Sequence, residues 1–116
     1  MHDGVDICAP AGTPVRSADS GVVIFSGWLR GYGNVVIIRH DGHYATVYGH
    51  NLVNSVREGQ HVERGQLVAK VGKTGRTTGC NLHFEVRRDN SARNPLPYLQ
   101  TIPIEGPERF ARGSAS

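Results

Sequence analysis

Three short stretches bring together side chains that bind metal ions or move protons: His2-Asp3-Gly4-Val5-Asp6, Tyr48-Gly49-His50 and Asn81-Leu82-His83-Phe84-Glu85. In an extended strand side chains alternate between faces, so Asn81, His83 and Glu85 share one face while Leu82, Phe84 and Val86 share the other. The apolar set is expected to pack in a core. The polar set either meets water, as polar strand faces usually do, or lines a groove. His2 and Asp6 are four positions apart. In a straight strand their Cα atoms would lie roughly 13 Å apart at ~3.3 Å per residue, too far to share one ion. A shared ion therefore requires a bend, and Gly4 permits one. Taken alone, a His-x-x-x-Asp spacing is commonly coincidence. His50 ends a strand-like run, at a sheet rim or loop mouth, where a lone His is more often an exposed surface residue.

Taken together, His2, Asp6 and His83 offer two imidazoles and a carboxylate. That donor set suits zinc with a fourth position left for water. Zinc lowers the pKa of such a water and polarises a carbonyl. Nearby imidazoles would then transfer protons and stabilise charge.

The elements that must position these residues read as strands. Helix signals are scarce. The β-branched and aromatic runs Gly21 to Trp28, Asn34 to His40, His43 to His50, Gln66 to Val71 and Leu82 to Arg88 are separated by Gly-bearing turns, including Gly31-Tyr32-Gly33 and the hairpin signal Asp41-Gly42. The pattern predicts an all-β antiparallel sandwich or barrel-like domain. The chain has 116 residues, enough for one domain with its own core. We assign residues 1–99 to that domain and 100–116, polar and bearing Pro, Gly and Ser, to a loose tail. A net charge of +3 gives weak steering toward anionic polymers, and no basic run with interleaved aromatics supports nucleic-acid binding. No apolar run has the length of a transmembrane helix, and no signal peptide is present.

The chain resembles the lysostaphin/LytM-type zinc endopeptidases, whose fold is the duplicated hybrid motif. The resemblance rests on His2-Asp3-Gly4-Val5-Asp6-Ile7 with Ala9-Pro10, the Gly12-Thr13-Pro14-Val15 turn, Gly31-Tyr32-Gly33-Asn34, Tyr48-Gly49-His50, Gly59 to Gly65, Gly72 to Gly79, and Leu82-His83-Phe84-Glu85-Val86. These stretches follow the family's order to about Leu99. The resemblance implies that His2, Asp6 and His83 ligate Zn2+, and that His50 assists catalysis. It implies cleavage of peptide bonds in the stem peptides or cross-bridges of peptidoglycan, in the bacterial cell envelope, periplasmic or secreted. A His at the position of His40 is frequent in the family, which suggests a site-wall role. His43 and His61 read as surface residues, and Glu85 either orients a ligand or is solvated.

Two departures stand out. The family's His-Leu-His reads Asn81-Leu82-His83, so a catalytic His is replaced by Asn81, which cannot exchange a proton near neutral pH. The family's usual strand before the first ligand is also missing. The alternative to an active endopeptidase is therefore a degenerate domain that binds cell wall or regulates a partner hydrolase or divisome protein. A third, lesser alternative is a biotinyl/lipoyl-like carrier barrel, suggested by Glu58 to Val71, although neither Lys70 nor Lys73 has the setting of a modified lysine. Cys8 and Cys80 flank the predicted metal site; they either form a disulfide in an oxidising compartment or remain free thiols.

Overall fold

Alternating apolar and polar residues between Gly-bearing turns give ten strands in the computed structural model, which describes residues 4–41, 44–77, 79–88, 91–93 and 110–113. They are β1 (Gly4–Cys8), β2 (Pro14–Arg16), β3 (Gly21–Leu29), β4 (Gly33–Arg39), β5 (Tyr44–Asn54), β6 (His61–Val62), β7 (Leu67–Val71), β8 (Asn81–Arg88), β9 (Ser91–Arg93) and β10 (Phe110–Gly113). Every strand pairing is antiparallel, and among the described residues no helix occurs. The fold is thus the expected all-β antiparallel class. The main path runs β10-β1-β8-β5-β4-β3-β6, with β9 beside β8 and with β7 joining β5 to β2.

The core lies on one face of this path. Val5 and Ile7 of β1, Val23 of β3, Val36 and Ile38 of β4, Tyr48 of β5 and Leu82, Phe84 and Val86 of β8 pack there, closed over by Val15 of β2 and Val68, Ala69 and Val71 of β7. Each buried Val, Leu, Ile or Phe among them contributes about 1.5–3 kcal/mol relative to exposure. That burial fixes the register of β1 and β8, because a slip by one residue would turn every apolar side chain outward.

Two elements differ from the sequence expectation, and a third expectation falls partly outside the described residues. The bend expected at Gly4 depends on residues 1–3, which lie outside the described residues; from Gly4 to Cys8 the chain is strand β1, and Asp6 reaches His83 by direct cross-strand pairing. Four residues of the expected tail, Phe110–Gly113, pair with β1, so that part of the segment is an edge strand. The strand expected to end at His50 continues to Asn54, because it leaves β8 at Gly49 and takes up pairing with β7 at Asn51.

Candidate metal centre

The face of β8 opposite the core carries the polar row expected from its alternation, but that row is not solvated. Asn81, His83 and Glu85 are as buried as the apolar row behind them. Buried polar groups need partners, and those of His83 come from both sides. Its Nδ1 lies 2.8 Å from Asp6 Oδ1, and its Nε2 lies 2.7 Å from Glu85 Oε2. The Asp6 contact follows from register, since Asp6 and His83 are direct partners in the β1–β8 ladder.

Glu85 is fully buried and serves as the hub of a second set of bonds. The Tyr32 hydroxyl donates to its Oε2 at 2.9 Å, and Arg87 Nε donates to its Oε1 at 2.9 Å. Arg87 Nη2 also donates to the Tyr32 oxygen at 3.0 Å. Glu85 is thus no solvated carboxylate: it is buried and bonded to His83.

His50 reaches the same place by a different route. Where β5 changes partner, His50 takes a left-handed backbone with φ of 64°, uncommon for a residue with a Cβ and frequent at functional corners. Its backbone N–H donates to the Tyr32 carbonyl at 2.8 Å, and its Nδ1 donates to the Thr74 carbonyl at 2.7 Å. A carbonyl only accepts, so the neutral ring carries its proton on Nδ1 and leaves Nε2 as an acceptor. The loop that provides Thr74 is held against the Gly31-Tyr32-Gly33 turn so closely that a Cβ on Gly33 would sit 2.4 Å from the Thr74 carbonyl carbon.

Ligand atoms of Asp6, His50 and His83 all lie within 4.8 Å of one another. The sequence reading had placed Asp6 and His83 among the metal ligands and His50 among the catalytic groups; the structure brings all three together. His2, the remaining expected ligand, lies outside the described residues, as does His43. Asn81 sits on the same face, next to Cys8 in the ladder. Its Nδ2 donates to Thr77 Oγ1 at 2.9 Å and to the Gly79 carbonyl at 3.2 Å.

The charges suit a cation. Burial alone would lower the pKa of His83, but the hydrogen bonds and charges of Asp6 and Glu85 push it up to about 9. Two carboxylates thus converge on one imidazole, which answers by holding a proton. For His50, burial lowers the pKa; the Thr74 bond opposes this and the charge on His83 adds to it. One carboxylate and two imidazoles in reach of one another are N/O donors fit for Zn2+.

Of the other sequence expectations, His61 is exposed as expected. His40 does not join the metal group but bonds the Ser20 carbonyl at 2.9 Å and Thr46 Oγ1 at 2.7 Å. Cys8 and Cys80 are free thiols, so the disulfide alternative does not hold; Cys80 packs against the core while Cys8 pairs with Asn81. Tyr32, Thr74 and Arg87 were not singled out from sequence. Arg87 had a signal, since it extends the alternation Asn81, His83, Glu85 by one more step. Tyr32 and Thr74 lay in turns, where no periodicity marks a partner.

Fold and site together define an antiparallel β-domain that gathers a carboxylate and two imidazoles within 4.8 Å of one another. The chain belongs to Peptidase family M23, whose profile matches residues 1–95. It is 47% identical over 100 residues to a lipoprotein NlpD/LppB homolog of Pseudomonas aeruginosa, covering 85% of this chain and 33% of that protein. It is 45% identical over 103 residues to the DD-carboxypeptidase/endopeptidase Mpg of Neisseria meningitidis, covering 89% of this chain and 24% of that one. It is 43% identical over 99 residues to the murein hydrolase activator NlpD of Escherichia coli, covering 84% and 26%. The catalytic domain of lysostaphin from Staphylococcus simulans superposes with a TM-score of 0.82 at 33% identity, covering 86% of this chain and 80% of that one. The chain spans a third or less of the length of these curated relatives. The family assignment displaces the carrier-barrel alternative, and Lys70 lies within β7.

Proposed function

We propose that this domain binds zinc through His2, Asp6 and His83 and acts on peptidoglycan peptides in the bacterial cell envelope as a metalloendopeptidase-type domain. The convergence of Asp6, His50 and His83 ligand atoms within 4.8 Å is the observation that carries it. Bound zinc supplies an acidified water and a polarising charge for a peptide carbonyl. The carboxylate of Asp6 and Nδ1 of His83 face each other as ligands. His50, with its Nδ1 proton tied to Thr74, offers Nε2 as a proton acceptor. The envelope placement is supported by relatives that are lipoproteins and murein hydrolase activators.

A second function is favoured by Asn81. Its amide N–H groups are tied to Thr77 and Gly79, and an amide does not titrate near neutral pH. Loss of an acid/base group lowers rates by about 10²–10⁴. A domain that holds zinc and peptide but turns over slowly suits a module that binds cell wall or regulates a partner hydrolase or divisome protein.

The test is release of soluble muropeptides from purified peptidoglycan by the zinc-loaded protein, with His83→Ala alongside. Equimolar zinc on the wild type, lost in His83→Ala together with muropeptide release, supports the endopeptidase. Equimolar zinc without release overturns the endopeptidase and favours the regulatory function. Equal zinc content in both proteins overturns the ligand assignment.

A further inference from the structure

We infer that Glu85 is a positioning residue for the metal centre: braced by Tyr32 and Arg87, it holds Nε2 of His83 as a hydrogen-bond donor and thereby presents Nδ1 to the ion. The inference rests on Asp6 and His83 being metal ligands, and it assigns roles to three residues outside the Asp6, His50 and His83 group.

A carboxylate only accepts hydrogen bonds, so the 2.7 Å contact between Glu85 Oε2 and His83 Nε2 requires the proton on Nε2. By the same rule Nδ1 donates to Asp6 in the ion-free ring; an ion would take the place of that proton, and Glu85, by keeping the proton on Nε2, leaves the Nδ1 lone pair to the ion. The ring has little freedom to turn away. The backbone of Gly4 lies on one side, where a Cβ would meet His83 Cε1 at 2.8 Å, and the Tyr32 ring lies on another at a centroid distance of 5.8 Å.

Glu85 itself is fixed from two directions. A fully buried carboxylate is costly unless it is both paired and hydrogen-bonded. Arg87 Nη2 lies 2.8 Å from Oε1 and compensates its charge, and the Tyr32 hydroxyl fills the remaining approach to Oε2. Arg87 in turn bonds the Tyr32 oxygen, so the three side chains close a ring. Tyr32 also accepts the backbone N–H of His50 through its carbonyl. One turn between β3 and β4 therefore supports both imidazoles.

An ion pair serving only to stabilise the sheet would not need its acceptor on the back of a ligand. The experiment separates the two roles by reading metal binding in folded protein. Zn2+ affinity is measured by competition with a chromophoric chelator, and the visible spectrum of the Co2+ form is recorded, for wild type, Glu85→Gln and Tyr32→Phe. Circular dichroism confirms that each is folded at the assay temperature. Glu85→Gln keeps the shape but removes the charge, and it is expected to bind Zn2+ about 10- to 100-fold more weakly with a shifted Co2+ spectrum. Tyr32→Phe, which keeps the ring and removes one bond to Glu85, is expected to show a smaller loss in the same direction. If Glu85→Gln does not fold, the Tyr32→Phe result decides. Wild-type affinity and spectrum in folded variants would overturn the positioning role while leaving the zinc site intact. Absence of zinc binding by the wild type would overturn the zinc site itself, and the positioning role with it.

Discussion

Gly4 and His83 are packed so that no side chain fits between them: a Cβ on Gly4 would lie 2.8 Å from His83 Cε1 and 2.9 Å from Nε2. The glycine is there for space, at the start of β1. Gly4→Ala therefore forces the imidazole, or the Glu85 side chain behind it, to move. Overpacking of this kind costs about 1–3 kcal/mol, and the displaced ring no longer faces Asp6 correctly. The expected outcome is a lowered melting temperature together with weaker Zn2+ binding. Zinc affinity equal to wild type in Gly4→Ala would show that the ring adapts and that its placement is not tightly held.

Asn81 is the second test of how the site is built. Asn81→His restores an imidazole beside His83, and muropeptide release by the zinc-loaded protein is expected to rise by about 10²–10⁴-fold. The same change gives up two hydrogen bonds, to Thr77 and Gly79. Each such bond is worth about 0.5–1.5 kcal/mol net, so the variant is expected to melt at a lower temperature while being more active. A stable variant with no gain in release would argue that His50 and the metal lack a productive geometry in this domain, whatever stands at position 81.

The alternation around His83 made one strand legible in full: Leu82, Phe84 and Val86 face the core as expected, and the polar row shares the site. Periodicity works there because a half-buried strand is a local property. It could not show that the polar face is buried too, since that depends on β1 and on the Gly31-Tyr32-Gly33 turn, which are distant in sequence. The approach of Asp6 to His83 was missed for a related reason. The spacing of His2 and Asp6 is silent about the strand beside them, and it is the register of β1 against β8 that brings Asp6 to His83. The pairing of Phe110–Gly113 with β1 carries no periodic signal in four residues.

His50 sits at φ 64°, a conformation costing about 1–2 kcal/mol for a residue with a Cβ and little for glycine. His50→Ala and His50→Gly both remove the imidazole and its bond to Thr74, so they should be equally inactive. They should not be equally stable. His50→Gly is expected to exceed His50→Ala by about 1 kcal/mol in urea denaturation, despite glycine's usual disadvantage in a strand. If His50→Ala proves the more stable of the two, the corner is not strained, and the left-handed turn follows from the surrounding bonds alone.

His40 predicts how stability responds to acid. Its Nδ1 donates to the Ser20 carbonyl, so in the neutral ring Nε2 accepts from the Thr46 hydroxyl, which in turn can accept from Tyr48 while the Ala18 N–H donates to the Tyr48 oxygen. A protonated His40 would need Thr46 to accept where it now donates, and that chain would have to reverse. Burial accordingly lowers the pKa of His40 below 6.5, against opposing contributions from the Ser20 bond and from Asp19 and Asp41. With the folded-state pKa depressed, the unfolded chain binds the proton first. The stability tied to the neutral ring is fully present above pH 6.5 and is lost as the pH falls below it. His40→Gln cannot titrate, so its urea midpoint should fall less than that of wild type across this window, while other histidines contribute equally to both proteins. Parallel midpoints through the window would mean that His40 is protonated as readily in the fold as outside it, and that the Thr46–Tyr48 chain accommodates either state.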